Sequence, residues 1–80
     1  MNLQWAKVYL SVLKNGSFAG AARQLHMTQP AISMTISSIE DTVGKKLIER
    51  SSGQRSAVLP TPAGEIFRGY AEQVLSLYSD

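Results

Sequence analysis

The chain has 80 residues, a formal net charge of +2, a single histidine and no cysteine. One domain of this size buries only ~60–65% of its unfolded surface, so a partner subunit would add to a marginal core. Without cysteine there is no disulfide or thiolate metal site, and one histidine argues against a histidine metal site or catalytic triad. We expect no metal and no cofactor. We also expect a soluble, intracellular protein without a membrane partner, because no apolar run reaches ~18 residues and no signal-like segment occurs.

The first predicted element is a helix over residues 3–14. Asn2 can cap its start, and Asn15-Gly16 ends it because glycine readily takes the left-handed conformation of a C-cap. Trp5 and Val12 lie beside the expected core stripe; core filling is favoured for them, with a contact to the C-terminal helix or another subunit as the alternative. The stripe itself recurs at helical spacing: Leu3, Ala6, Tyr9, Leu10 and Leu13.

Two more helices are predicted on either side of the tight connection His26-Met27. Ser17 caps the first, whose small residues at 19–22 would let another helix cross closely. Thr28 caps the second, and Pro30 is tolerated in its first turn because the missing N–H would be unpaired there anyway. This arrangement is a helix-turn-helix, whose second helix lies in the DNA major groove.

The helix that starts at Thr28 has two contrasting faces. Its core stripe is expected to comprise Ile32, Ile36, Ile39 and Val43. Gln29 lies near the edge of the helix start, and no charged side chain occurs from Thr28 to Ile39, so this face can press against something flat and polar. A surface helix with neutral outer residues would show the same pattern. The opposite face carries Pro30, Ser33, Met34, Ser37 and Asp41.

An extended segment follows Gly44. Residues 47–50 and 56–59 flank the turn-forming residues 51–54, which predicts a small hairpin, or wing. Two strands alone are barely stable, so Leu47, Val58 and Leu59 are expected to pack on the helices. The outward residues are expected to be Arg50 and Arg55, as DNA contacts rather than ordinary solvated charges.

The last predicted element is an amphipathic helix running nearly to Asp80. Pro60 should stop the strand, and Thr61 is an N-cap followed by Pro62 at the first helical position. A long exposed apolar stripe usually marks an interface. The stripe consists of Ala63, Ile66, Phe67, Tyr70, Ala71, Val74, Leu77 and Tyr78.

Distinctive polar positions accompany the apolar ones along nearly the whole chain. They are Ser17-Phe18, Ala21-Ala22, Leu25-His26, Gln29-Pro30-Ala31-Ile32-Ser33, Ile39-Glu40, Gly44, Leu47, Glu49-Arg50 and Thr61-Pro62-Ala63-Gly64. In order and spacing they resemble the N-terminal domain of LysR-type transcriptional regulators. The resemblance implies a mainly α fold: residues 1–60 form a winged helix-turn-helix with a three-helix core and a two-stranded wing, and residues 61–80 form a linker and dimerisation helix.

The resemblance also implies a function. It predicts sequence-specific binding to double-stranded DNA in the regulation of transcription. The chain is expected to bind paired half-sites as a homodimer, and a higher oligomer is an alternative for the full-length protein. A small-molecule effector is expected only on a missing C-terminal domain. The expected location is the cytoplasm of a bacterial-type cell, at the nucleoid when DNA is bound. Because the family's linker helix pairs antiparallel with its counterpart, dimerisation is assigned to Ile66, Phe67, Tyr70, Val74, Leu77 and Tyr78.

The DNA contacts divide into base readout and backbone anchoring. The family usually has arginine where Met34 stands, which implies less dependence on guanine at that position. Thr28 is both cap and possible phosphate donor. Backbone anchoring is assigned to Arg50, to Arg55 and to Lys45 or Lys46. Arg23 and the helix start at Ser17 are further candidates for phosphate contacts. Readout is assigned to Gln29, Pro30, Ser33, Met34 and Ser37.

The main rival hypothesis is a helical protein-interaction module whose neutral helix face meets a protein groove. The salt dependence of binding distinguishes the two hypotheses. DNA binding weakens steeply as the salt concentration rises, because counterions are released, whereas a largely apolar protein contact does not. An enzyme is not expected, since no carboxylate pair, Ser/His/Asp set or phosphate-binding glycine loop falls on one plausible site.

Overall fold

A computed structural model describes residues 2–50 and 57–78 of the chain. The two strands pair antiparallel, with Glu49 opposite Leu59. Helices and a two-stranded wing in this order confirm the predicted fold class. The elements are α1 (Leu3–Asn15), α2 (Phe18–Leu25), α3 (Gln29–Val43), β1 (Ile48–Arg50), β2 (Val58–Pro60) and α4 (Pro62–Ser76).

Every helix begins at a capping side chain, as predicted. Asn2, Ser17, Thr28 and Thr61 each accept a hydrogen bond from the backbone N–H three residues later, at 2.7, 2.9, 3.2 and 3.0 Å. These bonds satisfy amides that have no partner inside the helix. The four cap residues therefore set where the helices start.

The core is built around α1, which packs against α2 and α3 on one side and against α4 on the other. This corrects the predicted core face of α1. Val8, which lay outside the predicted stripe, is fully buried, whereas Leu3, Leu10 and Leu13 are only half-buried. Val12 is also fully buried, which confirms the core filling predicted for it. A helix covered from two sides buries a wider arc than a surface helix, so a single-stripe projection misses part of it.

Two other apolar residues expected in the core are exposed. Val43, in the last turn of α3, keeps 42% of its surface exposed. Leu59 is 46% exposed because neighbouring side chains of a strand point to opposite faces, and Val58 takes the inward position. Leu47 and Val58 are buried as predicted.

The ends of the last two elements also differ from expectation. Strand β2 ends at Pro60, one residue later than predicted. Helix α4 ends at Ser76, earlier than the predicted end near Asp80. Ser79 and Asp80 lie outside the described residues. Within those residues, no helix combines the length and hydropathy that crossing a bilayer requires.

The peptide around Leu47 connects the wing to three helices. Its carbonyl accepts hydrogen bonds from the buried hydroxyl of Tyr9 at 2.7 Å and from the N–H of Thr61 at 3.3 Å. Its N–H donates to a carboxylate oxygen of Glu40 at 2.8 Å. Gly64 packs so closely here that a Cβ atom would collide with the Leu47 carbonyl and the Tyr9 hydroxyl. We name these five residues the Leu47 joint.

Candidate nucleic-acid interface

The outer face of α3 is exposed and uncharged over its first three turns. Ile32, Ile36 and Ile39 are buried, which confirms three positions of the predicted core stripe. The residues assigned to base readout are all exposed: Gln29, Pro30, Ser33, Met34 and Ser37. Glu40 and Asp41 follow only after this neutral segment.

The wing places an arginine against the start of α2. Arg50 is exposed, and the central carbon of its guanidinium lies 4.7 Å from the centroid of the Phe18 ring. This distance is within the range of a cation–π contact. The contact between Phe18 and Arg50 was not predicted from the sequence. Arg55 lies outside the described residues.

Two adjoining grooves share Phe18 and Arg50. The larger, of about 490 Å³, runs along α3 and includes Ser33 and Ser37 in its lining. The smaller, of about 210 Å³, lies at the starts of α2 and α3 and includes Ser17 and Gln29. The structure thus brings five predicted DNA-contact residues together: Ser17, Gln29, Ser33, Ser37 and Arg50.

The remaining predicted contacts are arranged differently. Pro30 and Met34 line neither groove, and Met34 projects outward with 70% of its surface exposed. Thr28 is exposed, with its hydroxyl engaged as the cap of α3. Lys46 lines the larger groove, and its ammonium lies 3.9 Å from a Glu40 carboxylate oxygen. The Lys46 side chain is 84% exposed, so its ammonium remains accessible to another anion.

The apolar stripe of α4 divides into an inner and an outer half. Phe67 is buried and makes an edge-to-face contact with Tyr9, with ring centroids 4.9 Å apart. The domain's own core covers Phe67, so little of this side chain is left for the dimer interface to which it was assigned. Val74 is half-buried against the same core. The outer half consists of exposed residues: Ile66, Tyr70, Leu77 and Tyr78.

A helix-turn-helix with a neutral second helix and an arginine-bearing wing defines a winged-helix domain of the DNA-binding class. Residues 3–65 match the family described as bacterial regulatory helix-turn-helix proteins, lysR family. The chain belongs to this family, as the sequence motifs predicted. The family is one of transcriptional regulators and is not a class of enzymes.

Individual relatives agree with this assignment. The HTH-type transcriptional regulator CfxR of Cupriavidus necator is 34% identical over 80 residues, which are 100% of this chain and 24% of CfxR. The chain spans between 20% and 39% of the length of such curated relatives. Two solved structures are similar over 98% of the chain. In the BenM DNA-binding domain complexed with catB site 1 DNA, 84% of the relative is covered, with a TM-score of 0.85 and 35% identity. In the complex of the CbnR DNA-binding domain with DNA, 86% of the relative is covered, with a TM-score of 0.87 and 32% identity.

Proposed function

We propose that the chain reads the sequence of double-stranded DNA by placing α3 in the major groove while the wing contacts the backbone. The observation that carries this proposal is the neutral outer face of α3, which borders two grooves that Arg50 also lines. Family membership and the likeness to two DNA complexes support it.

The chemistry of each exposed side chain suggests a role. The Gln29 amide can pair bidentately with adenine, and the Ser33 and Ser37 hydroxyls can donate or accept at any base edge. Pro30 and Met34 can rest on thymine methyl groups. Backbone anchoring falls to Ser17, Thr28, Arg50 and Arg55, with Lys45, Lys46 and Arg23 as further candidates.

The outer half of the α4 stripe supports a homodimer that carries two reading helices to paired half-sites. Ile66, Tyr70 and Leu77 are large apolar residues left exposed by the domain's own core. Such a dimer would regulate transcription at the bacterial nucleoid, and so in the cytoplasm. Any effector would bind another part of a longer protein, and we assign no catalytic role to this domain.

Titration of a mixed-sequence duplex at several salt concentrations tests DNA binding. Affinity should fall steeply with salt, because each phosphate contact contributes about −0.9 to the slope of log K against log salt. Selection from a random duplex pool should then yield sequences bound at least ~10³-fold more tightly than the mixed duplex. A duplex affinity that changes neither with salt concentration nor with DNA sequence would favour the rival hypothesis of a protein-interaction module.

A further inference from the structure

We propose that Phe18 is a positioning residue for the DNA-backbone contact of Arg50. In this role its ring holds the guanidinium at the smaller groove, next to Ser17 and Gln29. The inference rests on the proposed function, since it specifies how one wing side chain meets a phosphate. It assigns Phe18 a purpose in addition to packing.

The contact is the interaction that orients Arg50 in the described part of the chain. There, ion pairs join Lys46 to Glu40 and Arg68 to Glu65, and neither involves Arg50. The guanidinium carbon lies instead 4.7 Å from the centroid of the Phe18 ring. The position of the charge therefore depends on an uncharged platform, and among the described residues no hydrogen bond or ion pair competes with phosphate oxygens for the guanidinium N–H donors.

Phe18 is well placed to act as a rigid platform. It is the first residue of α2, directly after the cap Ser17, whose hydroxyl accepts the Gly20 N–H at 2.9 Å. The side chain is half-buried and packs against the core. Arg50, by contrast, ends a strand of only three residues. A ring anchored in the helical core thus fixes a long side chain on a short strand.

The consequence for binding is preorganisation. An arginine side chain carries ~2 kcal/mol of rotamer entropy, part of which is lost when it grips a phosphate. A guanidinium already held on Phe18 loses less on binding. The same contact fixes the spacing between the backbone anchor and Gln29, which lines the same groove, and so fixes the register of α3 on the bases.

A double-mutant cycle on a mixed-sequence duplex tests this role. Phe18→Leu keeps an apolar side chain but removes the ring, and it should weaken binding about threefold, as expected for one exposed cation–π contact. The loss should vanish in an Arg50→Ala background. Phe18→Tyr, which retains a ring, should bind like the wild type. Arg68→Ala is the matched control: it removes an arginine from α4, and the Phe18→Leu loss should persist in its background.

Two further readouts separate positioning from packing. Arg50→Ala should make the salt slope shallower by about one unit, whereas Phe18→Leu should change the affinity while Arg50 still contributes to the slope. In the free wild-type protein, the Arg50 δ-protons should show an upfield ring-current shift in NMR spectra. This second measurement requires no variant to fold.

Independent losses from Phe18→Leu and Arg50→Ala would overturn the positioning role, as would unshifted Arg50 protons. A wild-type chain that binds duplex with normal salt dependence but shows either result would leave the proposed function intact. A wild-type chain that binds no duplex would overturn both.

Discussion

The outer faces of α3 and α4 are both exposed, and neither is covered by the domain's own core, yet their chemistry is opposite. Gln29, Ser33 and Ser37 give α3 an amide and hydroxyls. Ile66 and Tyr70 give α4 an apolar surface, with exposed fractions of 65% and 58%. A polar face keeps its hydrogen bonds to water until it meets polar groups, whereas an exposed apolar face gains most from lasting burial. The first face suits exchange between DNA sequences, and the second suits a permanent partner.

The largest effect should come from breaking the α4 face. Ile66→Glu combined with Tyr70→Glu should give monomers and weaken operator binding ~10²-fold or more, because two half-sites would no longer be held by one particle. Analytical ultracentrifugation and DNA titration measure the two effects. Phe67 and Val74 are left unchanged because they pack against the domain's own core.

Two causes of weaker DNA binding must be distinguished in the glutamate double mutant. One is dissociation of the dimer, and the other is repulsion between the added carboxylates and DNA. The neutral pair Ile66→Gln and Tyr70→Gln should dissociate the dimer without that repulsion. Glu72→Gln, an exposed change on another side of α4, should leave the dimer intact. A glutamate double mutant that remained dimeric with full affinity would place the interface elsewhere.

The next effect concerns sequence preference on the α3 face. Gln29→Ala and Ser33→Ala should each remove ~1–3 kcal/mol of discrimination at one or two base pairs per half-site, with little change in non-specific binding. Binding profiles over a randomised operator measure this. Ser38→Ala is the matched control, because this exposed hydroxyl lines neither groove. A marked drop in melting temperature would instead reveal a structural role for Gln29 or Ser33.

Met34 offers a gain of function on the same face. Met34→Arg should strengthen binding to DNA in general, steepen the salt slope by about one unit and shift preference towards guanine. Because Met34 is 70% exposed, the substitution should not disturb the core. Unchanged affinity and preference would mean that this position points away from DNA.

The smallest expected effect is on stability and comes from a substitution in the Leu47 joint. Burial first, and then the negative charge of Glu65, raise the pKa of Tyr9 to about 12. Folding favours the protonated hydroxyl, so its contribution is complete below the unfolded pKa of ~10 and is lost as the pH rises from there to about 12. Tyr9→Phe should lower stability by about 1 kcal/mol at neutral pH and flatten this alkaline loss.

Denaturant unfolding at several pH values measures the Tyr9 effect. Leu47 keeps its hydrogen bond from Thr61 in the variant, which limits the loss. The dimer and the base preference should both be unchanged. An alkaline transition equal to that of the wild type would show that another group titrates there.

The local features of the fold could be predicted from sequence because each depends on a few neighbouring residues. Thr28 followed by Pro30 is sufficient to start α3, and Gly16 and Gly44 adopt the positive φ angles of 68° and 80° that end α1 and α3. The uncharged α3 face could also be predicted, since it needs only helical periodicity. Contacts between distant segments left no such signal.

Three of those distant contacts explain three features that the sequence did not predict. Val8 is buried because α1 is covered from two sides. Phe67 is buried because Tyr9 meets it edge-to-face. Arg50 lies on Phe18 because the wing folds back to the start of α2. Helical periodicity finds an apolar stripe, but it cannot divide that stripe between a core and a partner.

The Leu47 joint also determines how the domain can respond to events outside it. Glu40, Tyr9 and Thr61 tie α3, α1 and the start of α4 to one peptide, with Gly64 closely packed against it. Among the described residues, these contacts connect α3 directly to the start of α4. In the proposed dimer, a signal that altered the pairing of α4 would therefore turn each domain as a rigid body. It would tune the tolerated distance between half-sites and leave the base preference within each half-site unchanged.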